Sequence, residues 1–165
     1  MYQRLLLTPF GELVLVANEG KLVYCNWNEK DCEQKLKRVV GRRDHNEGAE
    51  DVSVVDKAAC QIEEFCNGRL REFELPCEMR GTEFQKSVWR ILMEIPYGET
   101  LTYKDVAKLI GRPKAVRAVA AACGANPLAL IIPCHRVVAS NGTPGGYTGG
   151  LDKKLSLLQH ELRFN

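Results

Sequence analysis

At 165 residues, with 45% hydrophobic and 27% charged residues, the chain has the ordinary composition of a soluble globular protein and room for one generous domain or two small ones. No run is apolar and long enough to span a bilayer. Met1–Leu5 shows no signal-peptide pattern, and seven scattered cysteines form no secreted framework, so a reducing, cytoplasmic setting is expected, or a nuclear one in a eukaryote. The net charge of +2 hides an asymmetry: residues 1–78 carry 11 Lys/Arg against 15 Asp/Glu, and residues 79–165 carry 12 against 6. A polyanion, if one binds, meets the second half.

In chain order, residues 2–8 and 11–18 read as β-runs joined by a Pro9-Phe10-Gly11 turn. Lys21–Trp27 follows the Asn18-Glu19-Gly20 turn as a third strand of an antiparallel meander. A charged helix is expected from Asp31 to Arg43, with Leu36, Val39 and Val40 on one face, then a solvated loop over 44–52. A second amphipathic helix is expected over Ser53–Cys66, with Val55, Ala59, Ile62, Phe65 and Cys66 as its stripe. Glu72–Leu75 reads as a strand ending at Pro76. Cys25, Cys32 and His45 lack compact zinc-ligand spacing, and no metal or cofactor is expected. Nothing in this half carries identifiable chemistry.

From Gly81 the texture changes. Thr82-Glu83-Phe84-Gln85 is a capping-box pattern opening a helix with Phe84, Val88, Ile91, Leu92 and Ile95 at helical spacing, stopped by Pro96. A shorter helix runs from Tyr103 to Ile110 behind Thr102, Gly111-Arg112-Pro113 turns the chain, and a third helix runs from Lys114 to Cys123. Two short helices across a glycine turn, the second bearing Lys114 and Arg117, fit a helix-turn-helix and equally any αα-hairpin. Ala115, Ala118, Ala120, Ala121 and Ala122 leave that helix with little bulk. Such a surface suits close, sequence-indifferent approach in a minor groove, though alanine also favours helix formation and close packing.

The chemistry centres on Ile131-Ile132-Pro133-Cys134-His135-Arg136-Val137-Val138. A thiol is a poor nucleophile until it becomes a thiolate, which a nearby imidazole or a hydrogen-bond relay can bring about. Pro133 stiffens the backbone ahead of Cys134. In an extended segment Cys134 and His135 would point to opposite sides. Beyond Val138 lies a glycine-rich loop, residues 140–150, with Tyr147 placed to wall a pocket. A final helix, Leu151–Leu162, is expected to turn Leu155, Leu158 and Leu162 inward. Glu161 near its end opposes the helix dipole and needs a partner, for which His135 is a candidate.

Pro133–Val138, preceded by Asn126-Pro127 and followed by Tyr147-Thr148-Gly149-Gly150, closely resembles the O6-alkylguanine-DNA alkyltransferases, the methylated-DNA–protein-cysteine methyltransferases, over about residues 80–163. The resemblance implies an α+β fold: a small N-terminal α/β, RNase H-like support domain (1–78) and a mostly helical C-terminal DNA-binding and alkyl-transfer domain (79–165) with a helix-turn-helix. It implies Cys134 as alkyl acceptor, His135 as base through a water, and Glu161 as the group holding the imidazole. Tyr103 would donate a proton toward the leaving guanine, Arg117 would fill the gap left by the flipped base, and Asn126 would be the hinge. Val137, Tyr147 and Thr148 would meet the guanine, and Lys114, Ala115, Ala118 and Ser140 the DNA. The implied partner is double-stranded DNA bound through the minor groove with little sequence preference, by a monomer that uses no membrane.

The implied function is DNA repair by direct, stoichiometric transfer of an alkyl group from O6-alkylguanine to Cys134, with O4-alkylthymine a second candidate substrate. An alternative is a non-catalytic lesion binder that signals to another repair pathway; such relatives lack the cysteine, so its presence here counts against that. A Cys-His hydrolase or redox-sensing regulator ranks lower, because no third catalytic member stands out and an alanine-rich helix reads bases poorly.

Overall fold

The computed structural model describes residues 1–41 and 48–165, in two compact units, Met1–Arg80 and Gly81–Asn165. In the first, β1 (Tyr2–Thr8), β2 (Gly11–Asn18) and β3 (Lys21–Trp27) form an antiparallel sheet in the order β1-β2-β3, with Leu5 opposite Val14 and Leu15 opposite Cys25. β2 buries five consecutive residues, Leu13–Ala17, because both of its faces are covered. One face, Val14 and Val16, packs with Cys32 and Leu36 of α1 (Cys32–Val40), while α2 (Ala49–Cys66) lies across all three strands.

Three expectations for this unit need correction. The first helix spans Cys32–Val40 and ends at Gly41; the rest of its expected continuation, to Arg43, and residues 44–47 of the expected loop, His45 among them, lie outside the described residues. Residues 49–52 are helical, so α2 starts at Ala49 rather than Ser53. The acids that suggested a solvated loop instead favour a helix start: Glu50 and Asp51 sit in the first turn, where the dipole stabilises negative charge, and Asp51 accepts the Gly20 N–H at 2.8 Å. Glu72–Leu75 is not a strand. The Gln61 amide takes both main-chain groups of Glu74, at 2.9 and 3.1 Å, leaving ladder contacts only where Leu22 pairs with Pro76 and Glu78.

The second unit opens with α3 (Glu83–Met93). Its capping box is complete, with Thr82 and Gln85 exchanging hydrogen bonds at 2.9 and 3.2 Å. Trp89 on α3 is buried and donates its indole N–H to the Ala122 carbonyl at 2.9 Å, fixing α3 to the helix that carries Ala122. Gly81 is required there, since a Cβ would lie 2.5 Å from the Trp89 ring. α4 (Tyr103–Leu109) starts from a second capping box, Thr102 with Asp105. α5 spans Val116–Gly124, two residues later than expected: Lys114 and Ala115 belong to the turn after Pro113, where the Ala115 N–H bonds the Arg112 carbonyl. Two short strands, β4 (Leu101–Thr102) and β5 (Val137–Val138), pair in parallel and bring the start of α4 beside the cysteine segment. α6 (Leu151–Arg163) closes the unit.

The inward face of α6 differs from expectation. Leu155 and Leu162 are exposed, at 39% and 68%, while Lys154, Leu157 and Glu161 are buried. Residues 154, 157, 158 and 161 share one helical face, and that face meets a polar interior. Of the three leucines expected inward, Leu158 lies on this face, half-buried, and Leu155 and Leu162 do not.

Candidate active site

Cys134 sits on a single 3₁₀ turn, Cys134–Arg136, rather than in an extended segment. The turn changes the geometry: Cys134 and His135 need not point to opposite sides. The approach to it is tightly determined. Asn126 accepts the Leu128 N–H at 2.9 Å through its side-chain oxygen, and its side-chain N–H₂ donates to the Ile132 carbonyl at 2.8 Å and to Cys134 Sγ at 3.2 Å. Within this clip Leu130 adopts φ +71°, a conformation costly for a bulky side chain, and is held there by full burial. One asparagine thus shapes the loop and touches the thiol.

His135 is fully buried, and its Nε2 lies 2.7 Å from Oε1 of Glu161. Glu161 also receives Arg136, whose Nε and Nη2 contact its oxygens at 3.0–3.1 Å, and the Gly98 N–H at 3.0 Å. Arg136 Nη1 donates to the Ile95 carbonyl at 2.6 Å, so the guanidinium is buried with its donors engaged. Burial opposes the charge on Glu161, but the hydrogen bonds from His135 and Arg136 outweigh it and hold the carboxyl at about 2. Burial likewise pushes the His135 pKa down, against the pull of Glu161, and keeps the ring neutral. A neutral ring that donates from Nε2 leaves Nδ1 as a bare acceptor. Nδ1 is buried and has no protein hydrogen-bond partner among the described residues. That is the protonation state a general base requires.

The thiol is buried too. Burial raises the Cys134 pKa, opposed by the Asn126 hydrogen bond and the positive charge of Lys154. A cavity of about 320 Å³ opens on Cys134, walled by Tyr103, Tyr147 and Thr148 and by the small residues Ala120, Cys123 and Gly124. Thr148 donates its hydroxyl to the Gly124 carbonyl at 2.9 Å, tying the glycine loop to the end of α5. Burial pushes the Tyr103 hydroxyl up to about 12 and the Cys123 thiol likewise to about 12, so both stay protonated at neutral pH.

Of the residues expected at the site, Cys134, His135, Glu161, Asn126 and Tyr103 come together with Val137, Tyr147 and Thr148. The DNA candidates lie apart from them on the surface: Arg117 and Ala118 are exposed on α5, Lys114 and Ala115 line a shallow depression with Arg112 and Pro113, and Ser140 is exposed in its turn. Two buried residues were not anticipated, Arg136 and Lys154. Arg136 stands within an apolar run, and Lys154 lies seven residues before Glu161 on the same helix face. The first is legible in the sequence; the second is not, because the partners of Lys154 are carbonyls on other segments.

A buried thiol that opens on a cavity, beside a neutral histidine fixed by a carboxylate, has the parts that a cysteine nucleophile requires. Comparison with known proteins is specific. Residues 83–163 match the family model described as "6-O-methylguanine DNA methyltransferase, DNA binding domain". Methylated-DNA–protein-cysteine methyltransferase of Methanosarcina barkeri is 44% identical over 98% of this chain and 97% of its own length, and the inducible one of Bacillus subtilis is 37% identical over 99% and 91%. A crystal structure of Mycobacterium tuberculosis OGT in complex with DNA superposes with a TM-score of 0.84 at 36% identity, covering 99% of this chain and 94% of that one. The chain belongs to the methylated-DNA–protein-cysteine methyltransferase family.

Proposed function

We propose that this chain repairs DNA by taking the alkyl group of O6-alkylguanine onto Cys134 in one irreversible event. The observation that carries the reading is the buried pair His135–Glu161 with Nδ1 left open, beside a thiol that floors an accessible cavity. The target atom is stacked inside duplex DNA, so the nucleotide must be flipped out to reach such a cavity. His135 Nδ1 takes the thiol proton through a water, Glu161 stabilises the imidazolium, and the thiolate attacks the alkyl carbon in line. The S–C bond forms as the C–O bond breaks, and the guanine leaves after accepting a proton from Tyr103. The thioether product has no easy leaving path, so turnover stops after one event.

The remaining roles are those the family resemblance implies. Asn126 holds the loop and polarises the thiol. The Val137 and Cys134 carbonyls, the Thr148 backbone and the Tyr147 ring meet the guanine; Val137 keeps one acceptor lone pair beyond its bond to Lys154. We read α4, the 110–115 turn and α5 as a helix-turn-helix whose nearly bald face enters the minor groove, with Ala115 and Ala118 close to the backbone and Arg117 inserted into the stack. Lys114 and Ser140 serve the phosphates. The first unit is read as an RNase H-like support domain, and the protein as a monomer acting on cellular DNA; among the described residues no helix is long and apolar enough to cross a membrane.

The test is intact-protein mass after incubation with duplex DNA carrying one O6-methylguanine, with peptide mapping. Gain of one methylene on the Cys134 peptide, saturating at one per protein and lost in Cys134→Ala with DNA binding retained, is the expected result. Tight lesion binding without mass gain would instead make the protein a damage sensor.

A further inference from the structure

The second unit holds two of the seven cysteines, Cys123 and Cys134, and both line the cavity described above. The transfer scheme uses only Cys134. Cys123 lies in the last turn of α5, and Asn126 joins it to the nucleophile from both ends. The Asn126 backbone N–H donates to the Cys123 carbonyl at 3.3 Å, and its side chain donates to Cys134 Sγ at 3.2 Å. The two sulfurs also feel each other, since negative charge on Cys134 raises the Cys123 pKa. Both side chains are buried and open on the same space. The other five cysteines, Cys25, Cys32, Cys60, Cys66 and Cys77, belong to the first unit.

We propose that Cys123 is a resolving thiol for Cys134: hydrogen peroxide that enters the cavity oxidises Cys134, and Cys123 closes a reversible disulfide with it. A nucleophile that acts once is lost for good if oxidation carries it to a sulfinic acid, and a neighbouring thiol stops that ladder at its first rung. The cavity of about 320 Å³ admits the oxidant easily, since a water occupies only about 30 Å³. In the first step Cys134 gives its proton to His135 through a water, and the thiolate attacks one peroxide oxygen. The O–O bond breaks, the departing hydroxide takes that proton as water, and Cys134 is left as a sulfenic acid. In the second step the Cys123 sulfur attacks the Cys134 sulfur. The S–O bond breaks, and hydroxide leaves with the Cys123 proton as a second water. That proton is at hand because burial keeps the Cys123 thiol protonated at neutral pH. Two thiols have then given two electrons to one peroxide. The disulfide occupies the floor and one wall of the pocket, so alkyl acceptance is off until an external thiol reopens the bond by exchange.

The sequence makes the bond easy to read. Trypsin cuts after Arg117 and Arg136, so one peptide, residues 118–136, carries both cysteines. The full-length protein is treated with hydrogen peroxide, its remaining thiols are capped with N-ethylmaleimide, and the unreduced digest is weighed. The 118–136 peptide is expected to lose two hydrogens and take up no maleimide. Dithiothreitol should then restore both thiols and, with them, methyl acceptance from O6-methylguanine duplex. In Cys123→Ser, compared with its own untreated sample, the same exposure should add two oxygens at Cys134, and dithiothreitol should not reverse them. Sulfinic acid on Cys134 of the unmodified protein with Cys123 still capped by maleimide would overturn the proposal. A disulfide from Cys134 to a cysteine of the first unit would do so too, as would an unchanged 118–136 peptide once the exposed Cys60 is oxidised. If Cys123→Ser does not fold, the peptide of the unmodified protein decides by itself. The mass readout needs no DNA and stands apart from the repair reading: absence of methyl transfer by the untreated protein would overturn that reading and leave the disulfide to be judged on the peptide.

Discussion

His135 and Arg136, neighbours in the chain, both end on the carboxylate of Glu161, at 2.7 Å and 3.0–3.1 Å. The 3₁₀ turn makes this possible by bringing successive side chains to the same helix, α6. The carboxylate therefore carries two tasks, neutralising a buried guanidinium and fixing the imidazole. Removing its charge should damage both. For Glu161→Gln we expect a loss of roughly 3–5 kcal/mol in urea unfolding, because Arg136 is left buried and unpaired. In the fraction that remains folded, methyl transfer should fall about 10²- to 10⁴-fold. Near-normal stability together with near-normal transfer would mean that Glu161 fixes neither residue.

The same residues set the response to acid. His135 has a pKa pushed below its ordinary 6.5, and Glu161 is held at about 2 against an ordinary 4.5. As pH falls, the unfolded chain binds each proton before the folded one does. The His135 contribution is present above 6.5 and declines below it. The Glu161 contribution is present above 4.5 and is lost as pH falls toward 2, amounting to roughly 3 kcal/mol. Urea midpoints should hold steady from about pH 8 to 7, fall below about 6.5, and fall again below about 4.5. Stability unchanged from about pH 7 to 4 would contradict the neutral-histidine assignment.

How much of this was visible in the sequence depended on what each signal rests on. The meander and the α3 capping box rest on local rules, alternation, turn residues and side-chain reach to the nearest backbone, and Tyr2–Trp27 and Thr82–Gln85 follow them. The start of α2 was misread because Glu50 and Asp51 suit a loop or a first turn equally, and Asp51 is settled by the distant Gly20 N–H. On α6 the leucine spacing marks the interior at Leu158 but not at Leu155 or Leu162. There Lys154 and Glu161 are buried by partners on other segments, Val137, Gly146, His135 and Arg136, which no spacing within the helix reveals.

That correction can be checked by substitution. Leu157 is fully buried, whereas Leu155 is 39% exposed, two positions earlier on the same helix. Leu157→Ala should cost about 2–5 kcal/mol in denaturant unfolding. Leu155→Ala should fall within about 0.5 kcal/mol of the unmodified protein. Equal losses at both positions would restore the leucine face as the inward one.

Arg117 and Lys114 separate two parts of the DNA reading. Arg117 is exposed on α5 among Ala118, Ala120 and Ala121, while Lys114 lies in the turn before the helix, beside Arg112. A phosphate contact adds salt-dependent affinity of the same size on any sequence, so Lys114→Ala should weaken binding to damaged and undamaged duplex alike and flatten the salt dependence by about one counterion. A residue that fills the stack acts after binding, when the base leaves the helix. Arg117→Ala should therefore slow methyl transfer from duplex DNA by more than it weakens duplex affinity, and should leave the reaction with a free O6-alkylguanine base nearly unchanged. Loss of free-base reaction in Arg117→Ala would show that the substitution disturbs the pocket itself, through Ala120 and Cys123 on the same helix, and would remove Arg117 from the flipping step.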